Sequence, residues 1–323
     1  MSKAIRIHAN GGPDVLKWEQ VPTPRPNATE ALIRHEAIGV NYIDIYFRTG
    51  LYKTALPATL GIEGAGTVLA VGEKVTHIAP GDRVAYAGGP LGAYATERVI
   101  NADRLVKLPD DIDYKTGAAM MLRGLTAYFL LHRTFKVQPG QKILVHAAAG
   151  GVGLILCQWA KHLGAEVIGV VSSEAKAEII KANGAAHAII GHANLAAEVK
   201  QITGAAMVPV VYDSVGKDTF NASLDCLAPL GLMVCYGNAS GPVPPLDIAT
   251  LVTKGSLFLT RPSFATYMTA PQDIATGAAA LFDAVRSGAV KILVNQTFPL
   301  EQAAAAHAAL EARQTTGSTV LLP

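Results

Sequence analysis

Short apolar runs broken by glycine and proline fill the first third of the chain. Residues 4–8, 31–37, 66–71, 82–85 and 94–100 read as strands. The turn signals between them are GGPD at 11–14, TPRPN at 23–27, PGD at 80–82 and GGPLG at 88–92. Many short strands with such turns predict a compact, mostly antiparallel domain over residues 1–125. From about residue 127 the rhythm changes to strand, helix, strand, helix. Strands are expected at 142–146, 166–171, 188–190, 209–212 and 232–236, and helices at 154–163, 174–182, 196–202 and 219–226. Near-continuous apolar strands between helices are the pattern of a parallel sheet covered on both faces, with right-handed crossovers. Gly164 and Gly184 mark helix ends. Beyond Arg261 the pattern gives a helix at 274–287, a strand at 296–299, a helix at 302–312 and a strand at 318–322. From periodicity alone, this tail either extends the second sheet or folds back on the first domain.

Composition narrows the class. Of 323 residues, 50% are apolar and 16% charged, which excludes a disordered chain. The net charge is +2 and the cations are scattered, so no footprint for nucleic acid or anionic lipid is present. Cys157, Cys226 and Cys235 form no CxxC pair and read as buried thiols of a reducing compartment. No zinc-ligand spacing surrounds them, so no metal is expected. The stretch 143–160 is the nearest to a membrane span, but it holds His146, Gln158 and glycines 150, 151 and 153. The reading is a soluble, cytoplasmic protein with no membrane partner.

The sharpest local signal is AAAGGVG at 147–153, after a predicted strand and before a predicted helix. Ala148, Gly150 and Gly153 have GxGxxG spacing with alanine first. Small residues such as Ala149 permit a tight turn, and Gly150 or Gly151 lets backbone approach a pyrophosphate. Gly153 lets helix and strand pack closely. The pyrophosphate would rest on backbone N–H groups at the helix start. A plain tight turn is the alternative. At the end of the next strand, Ser172, Ser173 and Lys176 suit a phosphate and favour NADPH. Glu174 would suit the ribose of NAD, or it sits in a first helical turn where its charge complements the helix dipole.

Several blocks carry a resemblance. GIEGAGTVLAVGEKV at 61–75 has the GxExxGxxxxxGxxV spacing of medium-chain dehydrogenases/reductases. HAAAGGVGLILCQWAK, NYIDIYFRTGLY, VVYDSVGKDTF, GLMVCYGNASG and KGSLFLTRPS look closely like the zeta-crystallin-like quinone reductase branch of that superfamily, over essentially the whole chain. The resemblance implies a GroES-like catalytic domain at 1–125, a Rossmann domain at 126–260, and a segment 261–323 returning to the catalytic domain. It also implies a homodimer paired through a sheet edge around 246–259. Family positions place the nicotinamide near Asn41, Tyr42, Asp44 and Thr126, the pyrophosphate on Gly151 and Val152, and the adenosine phosphate near Ser173, Lys176 and Arg313. Ser214, Asn238, Ser240 and Phe264 match further cofactor-lining positions. A tyrosine used by relatives against the 2′-phosphate falls at or beside Gly191, where His192 either substitutes or has no role.

Zinc alcohol dehydrogenases have GHE where this chain has Gly61-Ile62-Glu63, and Ile62 cannot ligate a metal. An alcohol of pKa near that of water (~15.7) is hard to activate without a Lewis acid, whereas a quinone or activated enone is already electrophilic. The expected reaction is therefore transfer of reducing equivalents from NADPH to a quinone, with the number of electrons per step left open. Asn41, Tyr46, Tyr52 and Arg261 are the candidate pocket residues, expected between the domains. Either tyrosine could donate through a phenol of pKa ~10 or be a half-buried aromatic. Glu63 and Asp82 read as structural turn residues, Arg123 is undecided, and His146 reads as a core histidine. The alternatives are an NADPH-dependent enone or 2-alkenal reductase, and an NADPH-binding protein of low turnover with a structural or RNA-binding role.

Overall fold

The computed structural model describes all 323 residues. They divide into two compact units: Met1–Leu125 with Met268–Phe282 and Ile292–Pro323, and Thr126–Tyr267 with Asp283–Lys291.

In chain order the first unit has β1 (Ser2–Ile7), β2 (Lys17–Val21), β3 (Glu30–Val40), α1 (Tyr42–Thr49), β4 (Ala58–Thr59), β5 (Glu63–Val71), β6 (Arg83–Ala87), β7 (Glu97–Asn101), β8 (Val106–Lys107) and α2 (Tyr114–Phe129). The second unit takes over within α2, at Thr126. A three-stranded sheet has the order β2-β1-β4. Strand β3 is the spine of a larger sheet. One edge pairs antiparallel with β5, and the other is shared along its length, Glu30 to Arg34 with β7 and Ile38 to Val40 with the last strand of the chain. Ile5, Ile33, Ile38, Val68, Val84 and Ile100 fill the core, and each such side chain stabilises by ~1.5–3 kcal/mol. The strand expected at 94–100 begins only at Glu97, because Tyr94 turns inward to hydrogen-bond buried polar groups.

The second unit runs β9 (Lys142–Val145), α3 (Gly151–His162), β10 (Glu166–Val171), α4 (Glu174–Ala182), β11 (Ala185–Ile190), α5 (Leu195–Ile202), β12 (Val208–Asp213), α6 (Phe220–Leu224), β13 (Leu227–Cys235), α7 (Ala249–Thr253), β14 (Phe258–Thr260) and α8 (Phe264–Tyr267). All neighbours are parallel, in the order β11-β10-β9-β12-β13-β14. Leu144, Ile168, Val170, Val211 and Met233 pack its core.

The chain then continues through α9 (Pro271–Arg286), β15 (Val294–Pro299), α10 (Ala303–Glu311) and β16 (Ser318–Leu322). Strand β16 pairs with β15 and with β3, giving a seven-stranded sheet in the first unit, with the path β15-β16-β3-β5-β6-β8 and β7 on β3. Of the two possibilities that periodicity left for the tail, β15, α10 and β16 take the return to the first unit.

Candidate functional site

In the second unit the chain lays β10 and β11 to one side of β9, and β12, β13 and β14 to the other. Ligands of open α/β sheets bind at such a reversal, beyond the carboxyl ends of the strands. The candidate residues collect there: Ala149, Gly150, Gly151 and Val152 after β9, Ser173 and Lys176 after β10, and His192 after β11. Ser214 follows β12, Asn238 and Ser240 follow β13, and Arg261 and Phe264 follow β14. Among the second unit's candidates Thr126 alone lies elsewhere, half-buried on α2, while Asn41, Tyr42, Asp44, Tyr46, Tyr52 and Arg313 belong to the first unit.

The turn after β9 is tight. Gly150 N–H donates to Ala147 O (2.9 Å), and Ala147 takes φ 48°. A Cβ on Gly153 would fall 2.4 Å from Ala147 O and 2.7 Å from Ala148 Cα, so only glycine lets α3 start so close to β9. No side chain caps α3, whose N-cap is Gly150. Its first N–H groups therefore have neither an intrahelical nor a capping partner. A glycine cradle ending in an uncapped twelve-residue helix fits a pyrophosphate.

Ser173 caps α4 by accepting from Lys176 N–H (3.4 Å). Glu174 stands in the first turn, exposed, where its charge complements the helix dipole. His192 is also exposed. Two loops close against each other further along the sheet. A Cβ on Gly237 would lie 2.4 Å from Ser214 O, and one on Gly216 2.7 Å from Gly241 O. The Ser240 hydroxyl bridges Asp218 N–H (3.0 Å) and Val215 O (2.9 Å), so it clamps the loops together. With the Asn238 amide oxygen turned to Arg261 (3.3 Å), its NH2 meets Gly237 O (2.9 Å). Arg261 also donates to Cys235 O (3.0 Å). Arg261 belongs to the second unit, and Asn41, Tyr46 and Tyr52 to the first.

Sequence reasoning missed the hub of this loop system. Asp213 is fully buried and accepts four hydrogen bonds, from Val215 N–H (2.7 Å), Gly216 N–H (3.1 Å), Thr219 (2.7 Å) and Ser223 (3.0 Å). Ser223 spends its proton on Asp213, so it accepts from His146 Nε2 (2.9 Å). His146 is thus a satisfied core histidine, and burial lowers its pKa.

In the first unit β3 delivers Asn41 to the start of α1. Asn41 N–H donates to Asp44 Oδ2 (2.8 Å), and the Asn41 amide donates to Glu63 Oε2 (2.7 Å). Glu63 is buried at the head of β5 rather than in a turn. It also accepts from Leu122 N–H (2.6 Å) and Arg123 (3.3 Å). Burial raises the Glu63 pKa, and Arg123, Asn41 and the Leu122 amide pull it back. Arg123 is itself buried, donating to Ala119 O (3.0 Å) and Val40 O. Asp82 does keep a turn role, accepting from Ala79 N–H (2.9 Å).

Tyr46 and Tyr52 meet edge to face at 5.2 Å, and Tyr42 adjoins Tyr46 at 5.7 Å, forming an aromatic cluster beside Asn41. Burial raises the Tyr42 pKa, which the charge of Arg313 lowers, so Arg313 lies within electrostatic reach of Tyr42. The buried face of α1 was not visible in the sequence. Arg48 donates to His307 Nδ1 (3.2 Å), which fixes the ring proton on Nε2. His307 then donates to the Tyr94 hydroxyl (2.9 Å), and Tyr94 to Asp44 Oδ2 (3.0 Å). Glu311 closes the outer end on Arg48 (2.6 Å). Burial pushes Asp44 up to about 7 and His307 down to about 3.

No three His, Cys, Asp or Glu side chains converge to hold a metal ion, and no helix is long and apolar enough to cross a membrane. An antiparallel GroES-like unit and a parallel Rossmann-type sheet with a glycine cradle define the dehydrogenase/reductase class. The description "Alcohol dehydrogenase GroES-like domain" matches residues 27–110, and "Zinc-binding dehydrogenase" matches 151–283. A quinone oxidoreductase of Pseudomonas aeruginosa is 50% identical over 100% of both chains. A 2-haloacrylate reductase of a Burkholderia species is 46% identical over 100% of this chain and 99% of its own. The crystal structure of Escherichia coli quinone oxidoreductase complexed with NADPH superposes with a TM-score of 0.98, at 45% identity over 100% of both chains. The chain belongs to the quinone oxidoreductase family of medium-chain dehydrogenases/reductases.

Proposed function

We propose that the protein is an NADPH:quinone oxidoreductase that needs no metal. One observation carries the reading: the candidate cofactor residues predicted after β9 to β14 occupy the carboxyl edge of one sheet, around the cradle of α3. NADPH, when bound, supplies the hydride. The chain's own contribution is to hold and orient. The α3 N–H groups take the pyrophosphate, while Ser173, Lys176 and Arg313 take the 2′-phosphate. Ser214, Asn238 and the clamp through Ser240 fix the ribose-side loops. Glu63 sets the Asn41 amide, and Tyr42, Tyr46 and Tyr52 offer flat apolar faces to a planar acceptor and hydroxyls to its oxygen. Such positioning, with a donor at the developing oxyanion, is the main catalytic resource for an acceptor that is already electrophilic. Ile62, where zinc relatives carry histidine, is buried and apolar.

A homodimer is part of the proposal. Strand β14 is the last strand of its sheet, and Phe258, Leu259, Ile248 and Val252 on and near it are exposed. An open apolar edge of this kind pairs readily with a second copy. The deciding assay follows the loss of NADPH absorbance with 1,4-benzoquinone or 9,10-phenanthrenequinone, with NADH in parallel and chelator throughout. Fast, chelator-insensitive turnover with NADPH and little with NADH is expected. Chelator-sensitive turnover, or equal use of NADH, refutes the reading. The Burkholderia relative supports a second reading, reduction of an activated carbon–carbon double bond, and 2-haloacrylate in the same assay separates the two.

A further inference from the structure

The end of α10 breaks two local rules side by side. Glu311 is the last helical residue, where a carboxylate meets the negative end of the helix dipole. Arg313, two residues on, takes φ 57°, a left-handed backbone that glycine adopts freely and arginine only under strain. Its N–H donates to Leu310 O (3.1 Å), and the Gln314 N–H donates to Ala309 O (3.2 Å). Arg313 therefore holds the place in a helix stop that glycine usually fills. Where local preference is overridden twice in three residues, function is the usual reason.

Glu311 is held from α1. Arg48, its side chain 1% exposed, donates through Nη2 to Glu311 Oε1 (2.6 Å), through Nη1 to His307 Nδ1 (3.2 Å) and through Nε to Gly11 O (3.1 Å). A buried guanidinium keeps its carboxylate firmly, because leaving the charge unpaired there is costly. Past this ion pair, residues 312–317 are exposed or half-buried, and the next buried residue is Ser318. The Arg48–Glu311 pair is thus the last side-chain tie into the interior before Arg313. Tyr42, at the start of α1, feels the charges of both Glu311 and Arg313, so the end of α10 lies against α1.

We infer that Glu311 is a positioning residue for nucleotide selectivity: fixed by Arg48, it holds the left-handed turn that presents Arg313 to the 2′-phosphate of NADPH. Glycine at 313 would end the helix without strain but would carry no cation. A cation on a tethered turn also has less freedom to lose when the phosphate arrives than one on a loose segment. The inference rests on the placement of Arg313 at the 2′-phosphate proposed above, and adds what fixes it there.

Calorimetric titrations of NADPH and of NADH into the full chain give the ratio of their Kd values, a readout that needs no acceptor. Arg313→Gly removes the cation and suits the turn, so it should cut the preference for NADPH at least about tenfold. Glu311→Asp keeps the charge but draws the carboxylate back by one carbon–carbon bond, ~1.5 Å; Glu311→Ala removes it. Each should cut the preference at least about threefold, the cost of ordering one long side chain on binding, with NADH affinity held within about twofold. In the Arg313→Gly background neither change should alter the ratio further, since no cation is left to place. Retained NADH binding shows that a variant is folded, and Glu311→Asp carries the test if Glu311→Ala does not fold. An unchanged ratio in the folded Glu311 variants, equal weakening of NADPH and NADH, or an undiminished effect in the Arg313→Gly background would overturn the inference while leaving Arg313 at the phosphate. A ratio unaffected by Arg313→Gly would instead remove Arg313 from the phosphate, and the inference with it.

Discussion

Replacing Gly153 by alanine tests the nucleotide cradle most directly. The added Cβ would stand 2.4 Å from Ala147 O and 2.7 Å from Ala148 Cα, both backbone. An ordinary contact is about 3.4 Å, so the turn and the helix must part by roughly 1 Å. A hydrogen bond of about 2.9 Å from the α3 N–H groups would then open to ~3.9 Å, beyond useful range. Hydrogen bonds to a charged group contribute ~1.5–3 kcal/mol each. Loss of two comes to ~3–6 kcal/mol, or a factor of about 100 to 10,000 in Kd. The overpacking also destabilises the fold by ~1–3 kcal/mol. Thermal denaturation without nucleotide measures that part separately. Calorimetric titration of NADPH into Gly153→Ala and wild type reads the binding part. A variant that binds within about threefold of wild type, a difference under ~0.7 kcal/mol, would show that α3 does not carry the pyrophosphate.

Four further outcomes are expected. Lys176→Ala and Arg313→Ala should each raise the KM for NADPH at least about tenfold and leave that for NADH unchanged, because a phosphate contact is charge-assisted; equal effects on both nucleotides would remove these residues from the 2′-phosphate. Glu63→Gln offers one acceptor where Leu122 N–H, Asn41 and Arg123 need two oxygens, so kcat should fall about tenfold or more with NADPH affinity kept, and an unaltered kcat would argue against Asn41 as a site residue. Phe258→Asp should give a monomer in sedimentation, whereas a retained dimer would place the interface elsewhere.

The pH dependence of the first unit is the fourth. His35 and His307, both at about 3, refuse protons that the unfolded chain takes up below 6.5, so their contribution is present above 6.5 and lost as pH falls towards 3. Asp44, at about 7, keeps a proton that the unfolded chain releases above 3.8, so its contribution is present below 3.8 and lost towards pH 7. Glu63, whose pKa burial also raises, acts with Asp44 against the histidines, so the histidine part is read as the stability difference between the protein and its His307→Gln variant, which should shrink as pH drops from 6 to 4. A Trp159→Phe variant leaves Trp18 as the fluorophore, in the first unit. A difference between the two urea midpoints that stays constant over that range would contradict the burial of His307 as a neutral ring.

Elements whose pattern is complete within their own residues were legible in the sequence. Glu166–Val171, Glu174–Ala182 and Ser318–Leu322 form where the pattern put them, each an apolar run or stripe bounded by glycine, serine or proline. The missed helices fail for opposite reasons. In α1 the inward positions include Asp44 and Arg48, whose burial depends on Tyr94 and His307 far along the chain, so no apolar stripe marks the helix. In α2 residues 117–125 are all buried, and an apolar run of that kind has no amphipathic period to recognise. The cradle was legible because a strand, small residues and a helix must be consecutive there. The hub at Asp213 was not, since a carboxylate at the end of a strand gives no sign of being buried.

The pairing of β16 with the middle of β3 has a consequence for biosynthesis. Strand β3 emerges from the ribosome early, yet the partner for Ile38 to Val40, the residues leading into Asn41, is among the last to be made. The parallel sheet has all its strands by Thr260, so it can be completed while the first unit still presents an unpaired strand edge. The half of the molecule translated first is thus the half that closes last, and the stretch beside Asn41 is the part of the nascent chain most in need of protection from aggregation until translation ends.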